Sequence, residues 1–358
     1  MRILVVTNAY PAPERPSFGI YVARLVAALE RAGHDVVLAT SSEVGGGRLR
    51  ALVKYARLAW RARAAARAHH PDVVWGHYLV PTGTIARRAA RAAGVPYAVT
   101  AHGTDVANAE RSPRLRAATV KVVGDACAVF AVSRDLAARI EAVAGPLGER
   151  VHVVSAGVDL AAFGDGDREV AAAAVGWDSD GPRALFAGNL VPAKNLLRLL
   201  EAFAQARATW GGGSLALVGG GPEIERLEAR ARELGIAAAV RFAEGVPPQE
   251  VPRWMRACDV TCLVSEREGF GLTAIESLAC GRPVVVSRGV PSGAAVSEGV
   301  TGAFCDAADV GDIAAALVRA AALQPAAAAR AAAEPYGVER EAARALSVLE
   351  RCLPAAPR

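Results

Sequence analysis

The chain has 358 residues, of which 53% are hydrophobic and 22% charged, with six cysteines and a formal net charge of +5. This length suits two domains, and the composition excludes a disordered chain. No uncharged apolar run reaches the roughly 18 residues that a membrane span needs. No signal peptide follows Met1, so we expect a cytoplasmic protein.

The charge is uneven along the chain. Residues 1–165 contain 21 Lys/Arg and 13 Asp/Glu, a net of +8, whereas the remainder has 20 and 23, a net of −3. Nucleic acid is not expected as a partner, because no basic, aromatic-rich motif is present. An anionic membrane surface or an acidic acceptor fits better. The scattered cysteines lack zinc-site spacing, which favours free core thiols over a metal site.

Short apolar runs alternate with Ala-rich helical stretches in the first half of the chain. The pattern predicts helices over 20–32 and 48–70, and strands at 3–6, 36–40, 72–75, 97–100 and 128–132. Strand–helix alternation is typical of an α/β domain whose parallel sheet is covered on both faces.

The predicted helix 48–70 is amphipathic. One face carries Arg50, Lys54, Arg57 and Arg61. The opposite face carries Leu49, Leu52, Val53, Ala56 and Trp60. The pattern fits an ordinary surface helix with a solvated cationic side. The alternative is peripheral docking of the helix on the anionic inner face of a membrane.

The strand–helix pattern breaks after residue 163 and restarts at 183. We therefore predict a first domain over 1–165, a linker over 166–182, a second domain over 183–335 and a C-terminal helical segment over 336–358. The second domain is predicted to have strands at 183–187, 215–218, 240–242, 260–264 and 283–287, with helices over 196–208 and 223–234. It is thus a second doubly wound domain.

The segment 268–276 combines two carboxylates, Glu268 and Glu276, with a glycine loop between them. A predicted strand precedes it and a predicted helix follows, so the backbone N–H groups of Gly269, Phe270, Gly271 and Leu272 lie near a helix N-terminus. Such a place binds anions and polyols. Paired carboxylates also occur in glycosidases, but the intervening Gly-Phe-Gly favours a nucleotide donor.

Four further motifs accompany this one, at 18–22, 102–105, 188–195 and 219–222. Together, from Met1 to about Val300, they resemble the retaining, nucleotide-sugar-dependent glycosyltransferases of family 4, also called glycosyl transferases group 1. The resemblance implies the GT-B architecture, with two Rossmann-like domains that face each other across a cleft. The first domain would bind the acceptor and the second the donor, and the C-terminal helix would pack back on the first. No metal or cofactor is implied besides the nucleotide-sugar co-substrate.

The same resemblance assigns the donor site. Lys194 would hold the diphosphate, beside Asn189, where the family often has arginine. Glu276 would bind the ribose, and Glu268 the donor sugar together with the amides of Phe270 and Gly271. Gly19 would approach a phosphate, and Val246 would line the base. Each assignment has an ordinary structural alternative. Lys194 would be a solvated loop lysine, Glu276 a surface glutamate on a helix and Glu268 a loop carboxylate beside Arg267. The glycines at 19 and 219–221 would be turn glycines.

A third catalytic candidate, besides Lys194 and Glu268, is His102, which the resemblance places against the transferred sugar. Asp105, Tyr78 and His77 are candidates for the acceptor side. A structural histidine and a helix N-cap aspartate are the alternatives at 102 and 105.

The expected activity is transfer of a sugar from a nucleotide-diphosphate sugar to a hydroxyl of a glycan, lipid-linked or small-molecule acceptor. An epimerase, a sugar phosphorylase and a non-catalytic subunit that binds sugar nucleotides remain as alternatives.

Overall fold

Parallel β-sheets covered by helices form both halves of the chain. A computed structural model describes residues 1–41 and 47–354. These residues divide into two compact units, one made of Met1–Gly157 with the segment from Val338, and the other of Val158–Gly337.

The first unit contains a six-stranded sheet with the order β2-β1-β3-β4-β5-β6, in which every neighbouring pair is parallel. Its strands are β1 Arg2–Thr7, β2 Asp35–Thr40, β3 Val73–His77, β4 Tyr97–Ala101, β5 Ala128–Ala131 and β6 Val151–Val153. Its first helices are α1 Ile20–Arg31, α2 Gly47–His69, α3 Thr84–Ala93, α4 Thr104–Arg111, α5 Pro113–Asp125 and α6 Arg134–Ala144. The central strands β3, β4 and β5 are buried along their whole length, because helices cover both faces.

The last helix, α14 (Val338–Cys352), belongs to this unit and packs against α1. Val338, Leu346 and Leu349 join the core that surrounds Trp75 and Phe130. A buried carboxylate adds a polar anchor, because Glu341 Oε2 accepts the backbone N–H of Ser155 at 3.0 Å. Residues 355–358 of the segment predicted as C-terminal lie outside the described residues.

The second unit contains a six-stranded parallel sheet with the order β12-β11-β10-β7-β8-β9. Its strands are β7 Arg183–Ala187, β8 Ser214–Val218, β9 Val240–Ala243, β10 Val260–Leu263, β11 Val284–Ser287 and β12 Gly302–Cys305. Its helices are α7 Arg168–Ala174, α8 Leu196–Trp210, α9 Ile224–Glu233, α10 Val251–Ala257, α11 Leu272–Ala279, α12 Val310–Ala321 and α13 Ala326–Ala333. The two Rossmann-like domains are those of the GT-B architecture.

The segment 166–182, predicted as a linker, lies inside the second unit and contains α7. One polar residue of this segment caps the helix, since Asp167 Oδ1 accepts the backbone N–H of Val170 at 2.8 Å at the helix N-terminus. The helix then packs against α10. The edge strands β6 and β12 also have no counterpart among the predicted strands.

The apolar face of helix α2 is not the face that packs, whereas three residues of the basic face are solvated as predicted: Arg50, Arg57 and Arg61. Lys54, from the basic face, is buried with only 9% of its surface exposed, together with Leu58, Ala62 and Ala66. Leu49, Leu52 and Trp60 are exposed instead. The helix packs on α3 and β2, where small alanines allow a close approach. Within the described ranges, no helix has both the length and the apolar character needed to cross a membrane.

We predict that Leu349→Ala lowers the free energy of unfolding by about 2–5 kcal/mol, because it leaves a cavity where α14 meets the core. Urea denaturation followed by circular dichroism measures the change. Glu350→Ala, at an exposed position one residue further on, is the matched control and should change the value by less than about 0.5 kcal/mol. Equal effects of the two substitutions would contradict the packing of α14.

Candidate functional site

The strand order of the second unit reverses between β7 and β10. From β7 the chain proceeds outward through β8 and β9, then returns to build β10, β11 and β12 on the other side. Loops after the two strands at such a reversal diverge and leave a crevice at the carboxyl edge, where ligands of open α/β sheets bind. The loop after β7 carries Lys194, and the loop after β10 carries Glu268.

Lys194 and Glu268 form an ion pair at this reversal. Lys194 ends a 3₁₀ turn (Pro192–Lys194), and its Nζ lies 2.5 Å from Glu268 Oε1. The hydroxyl of Ser265 donates to the same Oε1 at 2.7 Å. The side chains are 23% and 11% exposed, respectively, so water screens the pair only partly. The structure thus joins two predicted catalytic residues that are 74 positions apart.

Asn195 holds the turn that carries Lys194. Its backbone is left-handed, with φ of 60°, and it caps α8. The side-chain amide donates to the carbonyls of Val264 at 3.2 Å and Ala307 at 2.7 Å, and its Oδ1 accepts from Arg198. Sequence reasoning did not single out Asn195. A non-glycine residue with positive φ leaves no sequence signal beyond the tolerance of asparagine for this conformation.

The glycine loop of residues 269–272 leads into α11. Gly271 has φ of +93°, and a Cβ there would lie 2.6 Å from Ser292 Oγ and 2.9 Å from Leu263 Cδ2. The carbonyl of Phe270 accepts the N–H of Ser292 at 2.9 Å. Gly269, Phe270 and Leu272 are partly exposed beside Glu268. Only glycine at position 271 therefore permits this path of the backbone.

Glu276 lies in the second turn of α11 and is partly exposed. The same helix is tied to β7, since Thr273 Oγ1 donates to the carbonyl of Ala187 at 3.2 Å. Helix α11 and the ion pair are thus both connected to the end of β7, the helix through Thr273 and the ion pair through the loop that carries Lys194.

The glycines at 219–221 bring two loops into backbone contact. The N–H of Gly188 donates to Val218, and that of Leu190 donates to Gly220, both at 2.9 Å. A Cβ on Gly221 would lie 2.2 Å from the carbonyl oxygen of Leu190. The segment is therefore more than a tight turn, because it fixes the loop on which Asn189 is exposed. Val246, on the loop after β9, is partly buried against the core.

The strand order of the first unit reverses between β1 and β3. Gly19, after β1, caps α1 with φ of 71°, and a Cβ there would lie 2.3 Å from the carbonyl of Ala9. Across the reversal, the hydroxyls of Tyr21 and Tyr78 lie 2.5 Å apart. The close backbone approach alone is enough to require glycine at position 19.

His77 and His102 form a pair at the carboxyl edge of the same sheet. His77 Nδ1 lies 3.2 Å from His102 Nε2, and the ring of Tyr78 covers His102 at 4.6 Å between centroids. Burial lowers the pKa of His77 to about 3. Burial and the neighbouring His77 also lower the pKa of His102 well below its usual value. Both imidazoles are therefore neutral at pH 7.

Asp105 pins two loops together. Its Oδ2 accepts the N–H of Leu79 at 3.0 Å, and its Oδ1 accepts those of Gly103 and Val106, each at 3.0 Å. Burial raises the pKa of Asp105, and these hydrogen bonds oppose that shift. The N-cap of α4 is Gly103, and Asp105 lies in the first turn of this helix. Its oxygens face backbone amides that link the loops of Tyr78 and His102.

Metal-ligand clusters of three or more His, Cys, Asp or Glu side chains do not occur in the described part of the chain. The two Asp-x-Asp sequences, at 165–167 and 178–180, lie in irregular segments of the second unit. Asp167 caps α7, and Asp180 Oδ1 accepts the N–H of Gly213 at 2.7 Å. An aspartate of each motif therefore holds local backbone structure.

Family models match both units. The model described as Glycosyltransferase Family 4 matches residues 19–162, and the model described as Glycosyl transferases group 1 matches residues 167–335. The chain belongs to the family 4 glycosyltransferases. A D-inositol 3-phosphate glycosyltransferase of Acidothermus cellulolyticus is 35% identical over 266 residues, which are 70% of this chain and 59% of that protein. The chain thus spans about three fifths of the length of the curated relatives that it matches.

Solved structures share the fold of this family 4 chain. The sucrose-phosphate synthase of Thermosynechococcus elongatus superposes with a TM-score of 0.82 at 19% identity, covering 98% of each chain. HepE of Anabaena, solved in complex with UDP-glucose, superposes with a TM-score of 0.78 at 19% identity, covering 98% of this chain and all of HepE. At this identity the likeness concerns the fold alone.

We predict that Gly221→Ala lowers the free energy of unfolding by more than about 1 kcal/mol, because its Cβ meets a backbone oxygen that cannot move without breaking the loop contact. The neighbouring Gly220→Ala is the matched control, since a Cβ there has no neighbour within 4 Å. Thermal unfolding of the two variants measures the difference. A control as unstable as Gly221→Ala would mean that the loops do not cross as described.

We predict a pH-dependent contribution of His77 to stability. The pKa of His77 is lowered to about 3 in the folded protein, so the unfolded chain takes up a proton first as pH falls. Stability from this group is complete above its unfolded pKa near 6.5 and is lost between about pH 6.5 and 3, at about 1.4 kcal/mol per pH unit.

Urea unfolding from pH 7 to pH 4 should therefore show a shallower pH slope for His77→Gln than for the wild type. The exposed His69 supplies the control His69→Gln, which should retain the wild-type slope. Equal slopes for all three proteins would exclude a buried neutral imidazole at position 77.

Proposed function

We propose that this protein is a retaining glycosyltransferase that moves a sugar from a nucleotide-diphosphate sugar to an acceptor hydroxyl. The observation that carries the proposal is the ion pair of Lys194 and Glu268 at the strand-order reversal of the second unit. It combines a fixed cation and a fixed hydrogen-bond acceptor at the edge where open α/β sheets bind ligands.

The leaving diphosphate gains negative charge in the transition state, and positioned positive groups stabilise it. The ammonium of Lys194 is such a group, and it lies two residues before the first residue of α8. The N–H groups at the start of α11, after Gly271, supply further donors. Asn189 adds hydrogen-bonding capacity without charge, which leaves Lys194 as the main cation in this proposal.

The two carboxylates take different parts of the donor. Glu268 is held at one oxygen by Lys194 and Ser265, so its other oxygen is the one we assign to hydroxyls of the transferred sugar. Glu276, one turn into α11, is assigned to the vicinal diol of the ribose, which a carboxylate binds with two hydrogen bonds. Val246 is assigned to the base.

His102 is assigned to the transferred sugar as a neutral hydrogen-bonding group. Its lowered pKa argues against a proton-donating imidazolium at pH 7. In the retaining, front-face mechanism that we propose, the leaving phosphate helps to take the proton of the acceptor. Tyr78 is assigned to the acceptor side. His77, which is 1% exposed, is assigned there as a positioning residue that contacts the ring of His102, and Asp105 positions the loops that carry them.

UDP- and GDP-sugars are the donors we favour. HepE is described in complex with UDP-glucose, and the curated relative acts, by its name, on D-inositol 3-phosphate. A phosphorylated acceptor also suits the net charge of +8 on residues 1–165. Glycans and lipid-linked acceptors share the required hydroxyl. A cytoplasmic location with peripheral contact at the inner face of the membrane belongs to the same proposal.

A thermal-shift panel of UDP-, GDP-, ADP- and TDP-sugars identifies the donor, because a ligand at 100 times its Kd stabilises the fold by about 2.7 kcal/mol. Turnover assays then separate the alternatives. An epimerase converts the donor without an acceptor, a phosphorylase requires free phosphate, and a non-catalytic subunit binds without turnover. No stabilisation by any of these donors would contradict the proposal.

We predict that Lys194→Ala lowers kcat/KM by about 10²–10³-fold, because a charge that stabilises the leaving diphosphate is lost. Glu276→Ala should instead weaken nucleotide binding about 10–100-fold, the loss of a charged hydrogen bond. Steady-state kinetics and calorimetric titration with the donor measure the two effects.

Lys121→Ala, at an exposed lysine on α5 in the other unit, is the control for removal of a lysine. Lys194→Gln, which removes the charge but retains a hydrogen-bond donor, tests whether a fold defect explains the loss of rate. Wild-type rates in both Lys194 variants would show that the site is elsewhere.

A further inference from the structure

An apolar stripe on α2 faces solvent. Leu49 is 74% exposed, Leu52 67% and Trp60 72%, with Val53 at 41% between them. At 100° per residue these four side chains and Ala56 fall within an arc of about 100°, and Leu49 and Trp60 are about 16 Å apart along the axis. Single exposed apolar side chains are common on proteins, but a continuous stripe marks an interaction surface.

The stripe is not required for packing of the helix, because α2 is anchored by its other side. Lys54, Leu58, Ala62 and Ala66 are buried and follow one another at intervals of four residues. Their face is centred roughly opposite the stripe. The exposed side chains thus remain available for a partner while the helix stays attached to α3 and β2.

The charge of the helix limits what that partner can be. The sequence of α2 contains seven Lys/Arg and no Asp or Glu. Arg50, Arg63 and Arg67 are exposed, and Arg63 and Arg67 continue the direction of the stripe along the C-terminal half. A second copy of the chain would place another helix with seven basic and no acidic residues against the first, and two such helices repel each other. An anionic surface complements them instead.

We propose that α2 is a membrane-binding helix that lies flat on an anionic bilayer, with Leu49, Leu52 and Trp60 inserted at the boundary between headgroups and acyl chains. Basic residues that flank and extend an exposed stripe of Leu and Trp can bind headgroups while the apolar side chains insert, as in helices that lie in the interface plane. This inference deepens the proposed function, on which it rests, by bringing a lipid-linked acceptor to the enzyme. The contact is apolar as well as electrostatic.

Vesicle flotation of the full chain tests the proposal. It compares neutral phosphatidylcholine vesicles with vesicles that contain about 30% phosphatidylglycerol and therefore have a strongly anionic surface. The wild type should bind the anionic vesicles at least about tenfold more tightly than the variant Leu49→Ser/Leu52→Ser/Trp60→Ser, because apolar insertion adds to charge attraction. Val170→Ser/Val300→Ser removes exposed apolar side chains (70% and 53% exposed) from the second unit and is the matched control.

The fluorescence of Trp60 gives a second measurement at the proposed contact. Trp60 is exposed, whereas Trp75, Trp177 and Trp254 are at most 5% exposed. Trp210 is partly buried against the core of the second unit, so a blue shift on addition of anionic vesicles that is lost in Trp60→Phe reports on α2. Trp60→Phe should keep binding in flotation and lose most of the shift. A shift that persists in Trp60→Phe would overturn insertion by this residue.

Three other outcomes also overturn the proposal. The stripe variant binding anionic vesicles as tightly as the wild type would show that the apolar side chains do not insert. Failure of the wild type to bind either vesicle would exclude the membrane. A concentration-dependent dimer that disappears in the stripe variant, without vesicle binding, would assign the stripe to a second copy. Donor binding in the thermal-shift panel does not depend on these residues. Failure of the proposed function can therefore be distinguished from failure of the membrane proposal.

Discussion

Parallel strand pairing is the constraint from which the site follows. Because the strands of each sheet run in one direction, their carboxyl ends gather at one edge, and most loops that leave that edge lead to a helix N-terminus. The reversal of strand order then separates two neighbouring loops. In the second unit these loops supply Lys194 and Glu268, and in the first unit they supply Gly19 and Tyr78. The chemistry is thus positioned by topology before any individual contact is considered.

Much of this arrangement could be predicted from the sequence. Fully buried strands leave uninterrupted apolar runs, and the motif at 268–276 joins a strand, a glycine loop and a helix in a few residues. The strands β6 and β12 were missed because each has only three or four residues and includes a histidine or a glycine, so neither leaves a continuous apolar run. Such strands are defined by their neighbour more than by their own pattern. The pairing of Lys194 with Glu268 depends on tertiary contacts across 74 positions.

Helix α2 shows the limit of periodicity more clearly. Its pattern correctly indicated a helix with two different faces, but not which face the domain covers. Alanines at 62 and 66 carry no strong hydrophobic signal, and yet they allow the close approach that buries this side. The larger apolar residues dominate the pattern and remain outside. Periodicity reports the difference between faces, whereas burial depends on the shape of the neighbouring elements.

Asn195 gives the ammonium of Lys194 a fixed starting position. Its amide group joins the carbonyls of Val264 and Ala307, which follow different strands, and its side-chain Oδ1 accepts a hydrogen bond from Arg198. A turn secured from three directions loses little conformational freedom when an anion arrives. The conformational entropy of this segment is therefore lost during folding, so in the proposed donor site a diphosphate would meet a cation that is already in place.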